Sequence, residues 1–270
     1  MRVHVISDIE GVAGIVKWAQ TGGENSTLYH EGRRLYTEEI NAAVRGAKAA
    51  GATEIVVMDC HGAGGDYTFN SLLPELLDPD CEFVVQSKWT EYTDFLEQGC
   101  DAALFVGMHA MAGTPDGVLS HTVSAQAWQE LRFNGVAVGE TGINAALCGH
   151  WGCPVLLVTG DRAVCREATA LLGDALTTAE VKVGLGRFSA RNLTAVRARE
   201  LIEAKAKEAL RDLKAVQPYD PGRPCEIEVH FTTTDRLEEY RNRRGVEVAG
   251  PLTIRSAAED WWSAWKQFFF

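Results

Sequence analysis

VHVISDIEGVAG, residues 3 to 14, decides the fold. VHVIS is a short β-branched run without regular polar alternation, the pattern of a strand covered on both faces of a parallel sheet. Two carboxylates, Asp8 and Glu10, follow it at once. A cap on the next turn is one use for them. The other is a ligand site, because open α/β sheets bind ligands just beyond the carboxyl ends of their strands.

Similar runs recur at EIVVM (54–58), EFVVQ (82–86), AALFVG (102–107) and PVLLVTG (154–160). Between the first two lies EGRRLYTEEINAAVRGAKAAGA (31–52), whose Leu35, Ile40, Ala43, Val44 and Ala47 share one helical face. Strand, helix, strand is the crossover unit of a doubly wound, mostly parallel α/β sheet. The pattern changes after Gly107. HAMAGTPDGVLSHT (109–122) is turn-rich, and Asn134-Gly135 marks a β-hairpin excursion. Helices are expected from Glu140 toward Trp151, over 161–172 and over 194–214. Three prolines between Pro218 and Pro224 form the best internal break. Past it come a strand at CEIEVHF (225–231), a helix at DRLEEYRNRR (235–244) and a C-terminal helix over SAAEDWWSAWKQFFF (256–270). These elements predict a catalytic core over 1–190 and a smaller α+β lobe over 191–270, packed on the core and on a neighbouring subunit through part of its aromatic cluster.

Composition narrows the function. The 270 residues are 46% hydrophobic, enough for a sizeable core, and 26 basic against 37 acidic residues give a net charge of −11. With the basic residues scattered, nucleic acid is not an expected partner. The chain has no apolar run long enough for a membrane span, and RVHVIS follows Met1 directly, without a secretory pattern. Seven widely spaced cysteines without a C-x-x-C pair read as free thiols in a reducing cytoplasm.

The strand ends carry the chemistry. Asp8 and Glu10 follow the first strand, Asp59 and His61 the second, His109 the strand ending at Gly107, and Glu140 the hairpin. Each has a bland alternative: Asp59 as a helix cap, Glu140 as a partner of a helix dipole, either histidine as a loop residue. Their convergence on one sheet edge points instead to a divalent cation site of the Zn, Mn or Co type. Asp8, Glu10, His61, His109 and Glu140 are too many ligands for one open catalytic ion, so two ions bridged by a carboxylate are expected. Spacing leaves Asp8 and Glu140 both open as the bridge.

SDIEG (7–11), DCHG (59–62), GMHA with TPDGVLSHT (107–122) and GETGINAALCGHWGCPVLLVTGD (139–161) resemble the motifs of the DppA-type D-aminopeptidases, zinc metallopeptidases. The resemblance spans residues 3 to 161 in order. It implies two zinc ions on Asp8, Glu10, His61, His109 and Glu140, a catalytic role for His121, and a ring-like homo-oligomer. It also implies short peptides with a D-residue at the N-terminus as substrates. The sequence departs from the family pattern at Cys60, where a member of the family carries serine, and at Asp116, which lengthens the loop between His109 and His121. His121 can serve as general acid, general base or nucleophile. Ser120 beside it is not expected to be its partner, since adjacent side chains on an extended segment point apart. Two rivals stand beside the aminopeptidase. A dinuclear phosphoesterase uses the same ligand types but wants fixed positive charge for phosphate. A metal-free dinucleotide binder lacks its G-x-G-x-x-G.

Overall fold

The computed structural model describes residues 1–23, 27–86 and 93–269. Its strands are β1 (Arg2–Ser7), β2 (Glu54–Asp59), β3 (Glu82–Val84), β4 (Ala102–Met108), β5 (Trp128–Phe133), β6 (Val136–Ala137), β7 (Val155–Asp161), β8 (Thr177–Gly186), β9 (Ser189–Asn192), β10 (Cys225–Phe231), β11 (Val246–Gly250) and β12 (Thr253–Ala258). Its α-helices are α1 (Thr27–Ala49), α2 (Asp94–Glu97), α3 (Glu140–His150), α4 (Arg162–Leu172), α5 (Ala195–Ala209), α6 (Thr234–Glu238) and α7 (Trp261–Phe269).

A seven-stranded sheet runs in the order β3-β2-β1-β4-β7-β8-β9. All its pairings are parallel except that of the edge strand β9 with β8. The doubly wound expectation is met. Chain order departs from β1 toward β2 on one side and returns to β4 on the other, so the switch point lies between β1 and β4. Right-handed crossovers leaving that point in opposite directions put α1 on one face and α3 and α4 on the other. β1, β4 and β7 are buried along almost their whole length, in keeping with their largely apolar runs.

At the switch point the segments after β1 and β4 meet backbone to backbone. Asp8 N–H donates to Val106 at 2.9 Å, and Gly11 N–H donates to Gly107 at 2.8 Å. A Cβ on Gly11 would lie 1.9 Å from the Met108 carbonyl oxygen, and one on Gly107, at φ +74, would lie 2.0 Å from that of Asp8. Only glycine fits either place. This contact brings the acids after β1 beside the histidine after β4.

The hairpin β5–β6 does not extend the main sheet. It pairs with β10 in a second, antiparallel sheet ordered β11-β12-β10-β5-β6. The alternating burial of β10 turns one face inward, and α7 covers the sheet with Trp261, Trp265 and Phe268, all at least 96% buried. Trp261 and Trp265 stack at 5.5 Å, and Phe133 meets both edge-on. Trp262 is buried as well, so these aromatics find partners inside the chain. Phe270 and the side chain of Phe269 lie outside the described residues.

Several elements differ from the sequence expectation. β8, β9, β11 and β12 had no counterpart in it, residues 256–258 are the end of a strand rather than the start of the C-terminal helix, and α6 is short. α5 stops at Ala209 and packs on α1 through a 2.8 Å Arg45–Glu203 ion pair. The expected division near residue 190 runs across that contact and across the pairing of β5 with β10.

Candidate metal centre

Asp8 and Glu10, after β1, are 98% and 99% buried, the condition under which a carboxylate needs a cation or donors. The register of β1 with β2 pairs Ser7 with Asp59, which raises His61 beside Asp8. Asp8 divides its carboxylate between two imidazoles. Its Oδ1 lies 3.1 Å from His61 Nδ1 and its Oδ2 3.3 Å from His109 Nε2. Glu10 Oε2 is 3.1 Å from the same His61 nitrogen. Glu140, in the first turn of α3, brings Oε1 to 3.3 Å from His109 Nε2 and 3.6 Å from His121 Nε2. All six side chains therefore meet in one cluster, and the five expected ligands are all in it.

The far side of each ring is already engaged. His61 Nε2 lies 2.6 Å from the Thr21 carbonyl, His109 Nδ1 3.0 Å from that of Ala110, and His121 Nδ1 2.9 Å from that of Leu119. A carbonyl accepts only, so in each neutral ring it fixes the proton on that nitrogen and turns the lone pair toward the carboxylates. This is how metal-binding imidazoles are held. Glu10 Oε2 and His109 Nε2 are buried without a conventional hydrogen-bond partner among the described residues. The ligand atoms of Asp8, Glu10 and His109 lie within 4.8 Å of one another, as do those of His109, His121 and Glu140. These nitrogen and oxygen donors suit a divalent ion of the zinc type.

Charge inside the cluster is tightly coupled. Burial alone would raise the Asp8 carboxyl, but the facing imidazoles of His109 and His61 hold it well below the usual range. Burial likewise works to lower both imidazoles, and the facing carboxylates lift them well above the ordinary histidine value. Protons and cations thus compete for the same nitrogens.

Asp59 stands outside the cluster and supports it. Its carboxylate accepts from Tyr36 Oη at 2.8 Å, from His61 N–H at 3.0 Å and from Ser71 N–H at 2.5 Å, fixing the loop that carries His61. Cys60 lines the cavity, where burial, then Asp59, Asp8 and Glu140, push its thiol well up and keep it neutral. Asp116 points away to an exposed ion pair with Arg166 at 2.8 Å. The loop around it is pinned instead by Val118 N–H on Asp161 Oδ2 at 2.7 Å.

His121 sits between Leu119 and Val123, two non-glycine residues at φ +51 and +58. Such strained backbone is kept where an exact side-chain position matters. Its ring stacks on His109 at 4.0 Å and meets Trp18 edge-on at 5.4 Å. Ser120 Oγ turns to the Thr114 carbonyl at 3.3 Å, in line with the expectation that it does not serve His121. A cavity of about 660 Å³ opens over the cluster, lined also by Trp18, Asn144, Arg187 and Trp265. Sequence reading missed these four. Trp18, a large aromatic in the loop after the first strand, was the one signal available.

Comparison with known proteins agrees with this geometry. A model of the M55 peptidase family, described as D-aminopeptidase, matches residues 1–270. A D-aminopeptidase of Bacillus subtilis strain 168 is 30% identical over 270 residues, covering 98% of this chain and 94% of the relative. The solved Zn-dependent D-aminopeptidase DppA from Bacillus subtilis, a self-compartmentalizing protease, superposes with a TM-score of 0.90 at 29% identity, over 99% of this chain and 95% of that one.

Proposed function

The chain belongs to the D-aminopeptidase family of metallopeptidases, and we propose that the cluster at its sheet edge hydrolyses the N-terminal amide bond of short peptides that begin with a D-residue. The observation that carries this reading is the divided carboxylate of Asp8. Asp8, Glu10 and His61 would hold one divalent ion, and Asp8, His109 and Glu140 the other, with Asp8 as the bridge. Zinc suits this mixture of imidazole and carboxylate, and the solved relative is Zn-dependent. Bound there, the pair supplies Lewis-acid polarisation of the scissile carbonyl and activation of a water.

The protein's own groups do the remaining work. Main-chain carbonyls of Thr21, Ala110 and Leu119 keep the imidazoles aimed, so that no reorientation is needed during reaction. His121 presents Nε2 to the cavity and is our choice for moving protons or attacking the carbonyl. Family membership sets aside the phosphoesterase and the dinucleotide binder.

We also infer self-assembly into a homo-oligomer, after the self-compartmentalizing relative. All seven cysteines are free, which supports a reducing, cytoplasmic setting. Among the described residues no helix is long and apolar enough to cross a membrane. The test of function is release of free amino acid from D-alanyl dipeptides and D-amino-acid amides by protein supplied with Zn, Mn or Co. No release from any of them removes the substrate assignment.

A further inference from the structure

Among the described residues lining the cavity, Arg187 is the sole lysine or arginine, and the floor carries Asp8, Glu10 and Glu140. It stands in the turn between β8 and β9. In this acidic chain arginines are usually engaged by acids, as Arg162 and Arg166 on the nearby α4 are at 2.9 and 2.8 Å. Arg187 has no such ion pair among the described residues. Aromatic rings hold it instead: its Cζ lies 5.6 Å from the Trp18 ring and 5.6 Å from the Phe188 ring. A guanidinium placed this way keeps its planar fork of donors free for an incoming anion.

Its position relative to the chemistry is fixed through the backbone. Leu119 N–H donates to the Arg187 carbonyl at 2.8 Å, and the Leu119 carbonyl accepts from His121 Nδ1 at 2.9 Å. Trp18 packs against both side chains, 5.4 Å from the His121 ring. Arg187 therefore stands one indole ring away from His121. A peptide advances about 3.3–3.6 Å per residue, so a group held on the ring that packs against His121 is within reach of the far end of a peptide only a few residues long.

We propose that Arg187 receives the C-terminal carboxylate of the peptide substrate and so selects short peptides with a free carboxyl end. A short peptide would then lie with its carboxylate at Arg187 and its N-terminal end over the cluster that carries Asp8, Glu10 and Glu140. The proposal rests on the aminopeptidase reading and adds a length- and charge-reading subsite to it.

The test compares D-alanyl-glycine with D-alanyl-glycinamide on zinc-loaded wild type, Arg187→Gln and Arg187→Lys. Wild type is expected to prefer the free acid. In Arg187→Gln, kcat/KM for the acid should fall about 10- to 100-fold, mostly through KM, the range for losing one charge-assisted contact. The amide should be cleaved as before and zinc content should not change. Arg187→Lys should recover part of the loss. Equal losses on acid and amide, or no loss on the acid, would overturn the subsite. If wild type cleaves neither compound, the aminopeptidase reading falls and the subsite with it, an outcome distinct from the other two.

Discussion

The ammonium of Lys182, on β8, lies 2.5 Å from the main-chain carbonyl of Glu10, the residue whose side chain faces His61. The same nitrogen donates to the carbonyls of Val12 at 2.9 Å and Ile15 at 2.7 Å. A buried lysine thus gathers the loop that follows β1. Burial pushes its pKa down to about 8, against the opposing charge of Asp161, Glu39 and Glu10.

Lys182→Met should loosen that loop. Three buried carbonyls lose a donor, at about 1–3 kcal/mol for each that finds no other partner. With partial rehydration, a drop in melting temperature of roughly 5–10 °C is expected. Zinc should also be stripped by a chelator more easily than from wild type. An unchanged melt with unchanged zinc retention would remove Lys182 from this role.

Glu39 makes the pH dependence of stability testable. It is buried on α1, its Oε1 accepts from Ala13 N–H at 3.0 Å, and its Oε2 has no hydrogen-bond partner among the described residues. Burial raises its pKa to about 7 from an ordinary 4.5, even though Ala13, Lys182 and Arg199 favour the ion. The folded state therefore holds the proton more tightly, and the resulting stability is full below pH 4.5 and lost as pH rises through 7. Glu39→Gln imitates the protonated form. It should leave stability near pH 4.5 unchanged and raise it at pH 8 by up to about 3 kcal/mol. Denaturant titrations at the two pH values that give the same difference would contradict this account.

The legible parts of the fold were those whose local pattern and tertiary environment agree. Buried parallel strands such as β1 and β4 are largely apolar, so the polar residues just after them, Asp8 and His109, mark the ligand edge. β8 escaped because Lys182 interrupts it, and carbonyls from a loop some 170 residues earlier are what make that lysine tolerable there. β12 escaped because SAAED favours helix locally. Its strand is decided by partners, with Ile254 opposite Val229 on β10. The choice of bridge lay beyond spacing too, since it turns on which oxygens of Asp8 face which imidazole.

That division of Asp8 gives a stoichiometric prediction. If one carboxylate serves both ions, Asp8→Asn should bind almost no zinc, whereas Glu10→Gln and Glu140→Gln should each keep about one of two ions. His61→Ala and His109→Ala should likewise lose metal. Elemental analysis of the five purified variants beside wild type decides it. Equal metal loss in Asp8→Asn and Glu10→Gln would place the bridge elsewhere, and full metal content in both histidine variants would dismantle the site.

His121 is the residue whose role geometry and chemistry divide most finely. Its Nε2 is 3.6 Å from Glu140 Oε1, close enough to join His109 and Glu140 around an ion. On the proposed assignment the neighbouring Asp8, His109 and Glu140 would supply the three protein ligands that an open catalytic zinc keeps, which would leave His121 for the reaction itself. His121→Ala should therefore retain zinc and lose turnover by about 10²- to 10⁴-fold, the range for removing a positioned proton-transfer group. Zinc content that falls as far as in His109→Ala would make His121 a ligand instead. Turnover that survives with zinc in place would take it out of the mechanism.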